Sequence, residues 1–405
     1  MKLGCIADDF TGATDLAALL RRSGASVKLH FGLPTLPSDG LSDIEIIALK
    51  CRTEVVSKAV SDCLKAGRWL LAAGAEKLYW KYCSTFDCTA EGNIGPVAEA
   101  LMKLTKKKQS LYCPAFPENG RSIFMGHLFV GKQLLGESSM KDHPLTPMTD
   151  SDLTRVIAPQ VKGSVGLWSR IDQKNGAAFP RETHVIADAV DFNDLKYLAS
   201  HTPSYALLTG GSALALALPE LLSFASKAFA PNPHTAPRAL ILSGSCSMMT
   251  QKQVAIYKTT NPAYQLNPES LSSGALEECI GWLRSQPNDV APLIYATATT
   301  EQVKKAQALL GVSVAGALVE EAMASLSKIA YDMGFRRFVI AGGETSGAVT
   351  QALNIKEVMI GQEICPGVPW VFGGSDNDPV ALALKSGNFG SQSFFQDALN
   401  LLESL

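Results

Sequence analysis

The chain has no block of basic residues and no basic arm. Its 405 residues carry a net charge of −2, which argues against nucleic acid as the partner. It has no Cys-x-x-Cys pair and no His-Glu-x-x-His, and its nine cysteines and six histidines form no cluster at zinc-ligand spacing, so zinc hydrolysis is disfavoured. An odd number of cysteines scattered through apolar segments predicts reduced, structural thiols and a cytoplasmic protein. No apolar run is long and unbroken. The stretch Leu207–Ala230 is interrupted by Gly210-Gly211, Pro219, Glu220 and Lys227, and reads as strand, turn and buried helix rather than a membrane span. Asp8 and Asp9 stop the first apolar run almost at once, so no secretory signal is expected. No Walker A motif is present. No Gly-x-Gly-x-x-Gly follows a strand with an acid about twenty residues on, which disfavours an NAD-dependent oxidoreductase.

What is present is an α/β pattern with a sizeable core, 46% hydrophobic and 18% charged. Strands are predicted at Lys2–Ala7, Ser26–Phe31, Glu45–Leu49, Lys77–Tyr82, Ser110–Cys113, His184–Ala187 and Tyr205–Leu208, with helical patterns such as Lys58–Ala73 and Pro96–Leu104 between them. Three prolines in Ala230–Pro237 mark a linker. Beyond it strands are expected at Ala239–Leu242, Leu293–Ala296, Arg337–Ala341, near Glu357–Ile360 and at Pro379–Leu384; helices are expected at Met249–Tyr257, Ser273–Ser285 and Val314–Met333. The expected architecture is two α/β domains, 1–230 and 238–405, each with a largely parallel sheet flanked by helices, and a ligand site in the inter-domain cleft.

Chemistry concentrates at predicted strand ends. The first strand runs into Ala7-Asp8-Asp9-Phe10-Thr11-Gly12-Ala13, where two adjacent carboxylates resist joint ionisation unless a cation or polar substrate meets them. Either acid could instead cap the following helix, and Asp15 reads as a helix-start acid favoured by the macrodipole. Arg52, the segment Lys81-Tyr82-Cys83-Ser84-Thr85-Phe86-Asp87 and Arg121 fall at or beyond other strand ends, a set suited to a small, polar, acidic substrate. In the second half, Ser243-Gly244-Ser245-Cys246-Ser247 and Gly342-Gly343-Glu344-Thr345-Ser346-Gly347 each join a strand to a helix, as phosphate-cradling loops do. Lys385-Ser386-Gly387-Asn388-Phe389-Gly390 closes the set; Lys385 reads more simply as an exposed lysine before a turn.

These motifs, in this order, resemble the four-carbon acid sugar kinase family over nearly the whole chain. Lys81–Asp87, followed by Gly92-Asn93-Ile94-Gly95-Pro96, resembles the branch that phosphorylates 3-oxo-tetronates. Pro114–Gly126 and Pro366-Gly367-Val368-Pro369-Trp370 match as well. The resemblance implies an N-terminal domain for the acid sugar and a C-terminal domain for ATP, with Mg²⁺ bridging phosphates. It implies ATP contacts at Ser243, Gly342, Gly343, Glu344, Thr345, Ser346 and Gly387, and a substrate side at Asp8, Asp9, Arg52, Lys81 and Ser84. Asp8 or Asp9 is then the base that takes the hydroxyl proton, Arg52 holds the carboxylate, and Lys81 and Ser84 meet the oxo and hydroxyl groups. The loop Gly373–Pro379, with Asp376 and Asp378, carries more acid than the family pattern. A threonate or erythronate kinase and a non-catalytic nucleotide-binding module are the alternatives. A homo-oligomer is left open, as are the metal ligands.

Overall fold

The strands at the centre of the first sheet are largely apolar on both faces, as strands of a parallel sheet covered on both sides are. The computed structural model describes all residues except 35–40, 144, 223–231, 272–273, 376 and 404–405. The chain divides into two units, Met1–Phe229 and Ala230–Leu405. Of the proline-rich stretch 230–237, Ala230 and Pro231 lie outside the described residues, and the remainder forms no helix or strand.

The strands of the first unit are β1 (Leu3–Ala7), β2 (Val27–Phe31), β3 (Ile44–Ala48), β4 (Lys77–Lys81), β5 (Gln109–Cys113), β6 (Arg121–Phe124), β7 (His127–Val130), β8 (Gln133–Leu134), β9 (Val165–Trp168), β10 (His184–Ala187) and β11 (Ala206–Gly210). Eight of them form a sheet in the order β2-β3-β1-β4-β11-β5-β10-β9, and every pairing in it is parallel. All five residues of β1, β3 and β5 are buried, because helices cover both faces. After β1 the chain lays β2 and β3 on one side and β4 on the other. That reversal makes the carboxyl end of β1 a topological switch point, where open α/β sheets bind ligands. A small antiparallel sheet, β6-β7-β8, was not expected from sequence; its strands are two to four residues long, too short for a period to show.

In the second unit the strands are β12 (Ala239–Ser243), β13 (Ala263–Gln265), β14 (Leu293–Tyr295), β15 (Arg337–Ala341), β16 (Glu357–Cys365), β17 (Val368–Ser375) and β18 (Asp378–Lys385). Their order is β13-β14-β12-β15-β18-β17-β16, parallel from β13 to β18 and antiparallel beyond. Two strands were not expected from sequence: β13, three residues long, and β17, whose Pro369, Gly373 and Gly374 speak against a strand interior. Pairing with β18 on one side and β16 on the other overrides that preference. Trp370 at its centre is fully buried in the core cluster and donates its indole N–H to the Ala398 carbonyl at 3.0 Å. The acidic loop resolves in part. Asp378 accepts from Arg336 Nε (2.6 Å) and the Tyr331 hydroxyl (2.5 Å), which ties the β17–β18 turn to the strand and helix beside it; Asp376 lies outside the described residues.

All nine cysteines are free thiols. No single helix among the described residues is long and apolar enough to cross a membrane. The stretch 207–222 forms β11 and two short helices, Ser212–Leu216 and Leu218–Leu222.

Candidate functional site

Parallel register lines up three strand ends in the first unit. Ala7 pairs with Ala48 on one side and with Lys81 on the other. The segments beyond β1, β3 and β4 therefore leave the sheet at one level: Asp8-Asp9, the Arg52 loop and the turn that runs from Lys81 to Asp87. Arg52 sits among the acids. Its Nε and NH2 reach the two Asp8 oxygens at 2.7 and 2.9 Å, NH2 lies 2.8 Å from Asp9 Oδ1, and NH1 lies 3.9 Å from Asp87 Oδ2. Lys81, also buried, brings its ammonium to 3.9 Å from Asp9 Oδ1.

The two neighbouring acids have different tasks. Asp9 is the N-cap of the helix Phe10–Arg22: its Oδ1 accepts the Gly12 N–H at 3.0 Å, and its Oδ2 accepts the Thr11 hydroxyl at 2.6 Å. Burial pushes the Asp9 carboxyl up, but Arg52, Lys81, Thr11 and the Gly12 N–H together outweigh it and hold the group below its ordinary value. Asp8 caps nothing. Burial pushes its carboxyl above the ordinary value, Asp9 adds to that, and the bidentate Arg52 with the more distant Lys81 recovers only part of it. The same acids drive the Arg52 guanidinium up despite its burial.

Gly12 is what lets Lys81 in. A methyl group at that position would overlap both the Lys81 ammonium and the Asp9 carboxylate. Gly12→Ala is expected to cost about 1–3 kcal/mol as an overpacked substitution. Thermal melting should show a fall of about 2–4 °C per kcal/mol, and an unchanged melting temperature would mean that Lys81 moves aside freely.

Residues absent from the predicted set build the cluster's support. Asn93 Nδ2 donates to the carbonyls of Cys51 (2.7 Å), Arg52 (3.2 Å) and Glu54 (2.9 Å), so one buried amide shapes the whole Arg52 loop. The Thr85 hydroxyl donates to Asp87 Oδ1 at 2.6 Å. Phe86, at φ +55° in the left-handed region, is fully buried with its ring edge-on to Tyr82, and it folds the turn that presents Asp87. Ser84 is partly exposed on that turn. Arg121 is buried and shares the neighbourhood: burial lowers its guanidinium, while Cys83, Asp87 and Asp15 raise it. The macrodipole reading of Asp15 does not survive. It is the sixth residue of its helix, past the first turn, and it accepts the Ser212 hydroxyl at 2.6 Å.

The second unit repeats the device with small residues. Ser243 pairs with Ala341, and Ala341 with Lys385, so three loops start level at one sheet edge. Gly342 turns at φ +122°, ψ 135° into the helix Gly343–Ala352, whose first turn has no side-chain cap. A helix start without a side-chain cap is the kind of feature that receives anions, as expected of a phosphate-cradling loop. Thr345 and Ser346 are buried in that helix, Gly343 and Glu344 are partly exposed at its start, and the Ser346 hydroxyl has no hydrogen-bond partner among the described residues. Ser243 is buried with its hydroxyl 2.6 Å from that of Thr297. Gly387 follows β18, and its carbonyl accepts from Ser247 Oγ at 2.6 Å. Lys385 is the correction here: it is fully buried, not an exposed lysine before a turn.

Two family profiles cover the chain, one described as a sugar-binding N-terminal domain over residues 3–218, the other as a nucleotide-binding C-terminal domain over residues 240–395. A 3-oxo-tetronate kinase from Pseudomonas fluorescens is 47% identical, over 99% of this chain and 97% of the relative. One from Haemophilus influenzae is 40% identical over 98% of each. Among solved structures, a Salmonella typhimurium LT2 protein described as a tRNA synthase has a TM-score of 0.79 at 38% identity, covering 98% of both chains. A Haemophilus influenzae protein has a TM-score of 0.71 at 38% identity, over 98% of this chain and all of that one. A sheet edge that gathers acids and an arginine, a second edge of phosphate-type loops, and alignment from end to end with acid sugar kinases lead to one conclusion: the chain belongs to the four-carbon acid sugar kinase family.

Proposed function

We propose that the protein transfers the γ-phosphoryl group of ATP to the 4-hydroxyl of a 3-oxo-tetronate, giving 3-oxo-tetronate 4-phosphate and ADP. The observation that carries this reading is the buried pair Asp8 and Arg52 at the switch point of the first sheet, in a chain whose 3-oxo-tetronate kinase relatives align over nearly its full length. Phosphoryl transfer needs positioning, charge neutralisation and a group to accept the hydroxyl proton. Asp8 is the base in this scheme. Its carboxyl is buried and more basic than usual, and each oxygen keeps a lone pair beyond its bond to Arg52. Asp9, with both oxygens engaged by the helix start, fixes the cluster's shape.

Arg52 and Arg121 supply donors for the substrate carboxylate, and Lys81 with Ser84 meets the oxo and hydroxyl groups. The level loops at Ser243, Gly342–Ser346 and Gly387 hold ATP, with the uncapped helix N-terminus facing phosphate. Among the described residues no three His, Cys, Asp or Glu side chains form a ready cation cage. Magnesium, expected with ATP, would neutralise charge on the nucleotide phosphates during transfer. The tRNA-synthase description of the Salmonella relative gains nothing from this chain, whose net charge is −2 and whose sequence has no basic block or arm.

A coupled ATP-consumption assay with both enantiomers of 3-oxo-tetronate, threonate and erythronate tests the reading. ATP loss should depend on one 3-oxo-tetronate enantiomer. Preference for threonate or erythronate would move the substrate to the non-oxidised acids, and ATP binding with no loss on any acid would reduce the protein to a binding module.

A further inference from the structure

Lys385 is the last residue of β18, and it joins two of the loops assigned to the nucleotide. Its carbonyl accepts the Gly342 N–H at 2.9 Å, while its ammonium donates to the Gly387 carbonyl (2.9 Å), the Ser386 carbonyl (3.0 Å) and Thr250 Oγ1 (2.9 Å). Thr250 Oγ1 and Ser247 Oγ donate to the same Gly387 carbonyl, so three donors converge on one oxygen. We propose that Lys385 is a positioning residue for nucleotide binding, whose amine holds the Gly387 loop and takes up a proton as the nucleotide phosphates arrive.

The geometry sets up a conflict that a nucleotide resolves. Three oxygens facing one nitrogen match the three N–H bonds of the ammonium; a neutral amine has two, enough for the carbonyls, and needs the Thr250 hydroxyl to turn and donate to it. All three oxygens are neutral, and the side chain is fully buried, so the charge of the ammonium has no opposite charge among them. Burial accordingly lowers the amine to about 7, with the Cys365 thiolate form pulling the other way. The neighbouring elements also carry the titratable groups Glu344, Lys252, Tyr257, Glu363 and Asp397, and Cys365, in its thiolate form, acts on Lys385 to raise it. The Phe394 ring, its centroid 5.9 Å from the nitrogen, closes the apolar side. Phosphates seated on the adjoining loops would supply the missing negative charge and stabilise the ammonium.

The inference rests on the nucleotide reading of these loops, and one experiment separates the two. Magnesium–ADP is titrated calorimetrically into the full-length protein in buffers of different ionisation enthalpy. Uptake of more than about half a proton per nucleotide is expected near pH 8, falling toward none near pH 6, because the amine is already charged at the lower pH. Lys385→Met should abolish the uptake and weaken binding at least about tenfold. Binding without uptake by the wild-type protein at pH 8, or uptake retained in Lys385→Met, overturns the inference and leaves the nucleotide site standing. Absence of ADP binding overturns both. If Lys385→Met does not fold, the wild-type comparison between pH 6 and pH 8 decides alone.

Discussion

Asp8→Asn is expected to lower turnover by about 10²–10⁴-fold, the range that a general base contributes, while the protein stays folded and binds ATP as before. The substitution keeps the shape of the side chain and removes its basicity. Arg52 retains Asp9 at 2.8 Å and Asp87 at 3.9 Å, and its loop remains held by Asn93. Stability should fall, because an amide N–H then faces one of the two Arg52 N–H groups that the carboxylate accepted, and the buried guanidinium keeps Asp9 as its near counter-charge. The folded-state carboxyl of Asp8 nonetheless lies above its unfolded value, so its own contribution is full below the unfolded pKa and declines as pH rises through the folded one.

Asp9 runs the other way. Its folded-state carboxyl lies below the unfolded value, so it stabilises the protein above the unfolded pKa, and that support is lost as pH falls through the folded one. Asp9→Ala should therefore lower the melting temperature at neutral pH, by a cap's worth of about 0.5–2 kcal/mol. Steady-state kinetics and thermal melts on the two variants separate proton acceptor from cap. Near-normal turnover in Asp8→Asn would remove Asp8 as the base. The acid limb of the rate profile is a further check: it should fall above the usual carboxylate range, because burial raises Asp8.

The second large effect is at the phosphate loop. Gly342→Val is expected to weaken ATP binding by at least about tenfold, because residues forced into sparsely populated backbone regions cost about 1–3 kcal/mol each. At φ +122° a β-branched residue has no comfortable conformation, and the chain can escape only by rotating the first turn of the helix Gly343–Ala352. That turn carries the uncapped N–H groups. The Gly342 N–H itself bonds the Lys385 carbonyl, so the disturbance reaches the Gly387 loop as well. Acid-sugar binding, measured without nucleotide, should be unchanged. ATP affinity equal to that of the wild type would sink the phosphate-loop assignment.

Much of this was legible before any coordinates. Continuous apolar runs such as Leu3–Ala7 and Arg337–Ala341 announce buried parallel strands, and both lie where the periodicity puts them. The loops after them announce themselves by composition, since small residues and paired acids rarely follow a strand without a reason. The short strands β6 to β8 were not legible, and neither was β17 with its proline and glycines, because their strand character comes from partners rather than from their own residues.

By itself the sequence determined the alternation of strand and helix, the strand-end positions of the chemistry-bearing residues, and the kinship with acid sugar kinases. These depend on local period and on the order of motifs along the chain. The tertiary structure alone decided which residues meet. Arg52 finds Asp8 across 44 residues and Asp87 across 35 because β3, β1 and β4 lie side by side in register, an order that no local pattern encodes. It decided that Asp9 caps the helix and Asp8 does not, since the roles of adjacent carboxylates follow from the direction of each side chain. It also buried Lys385, whose neighbours in sequence describe a turn but whose surroundings in space are a core.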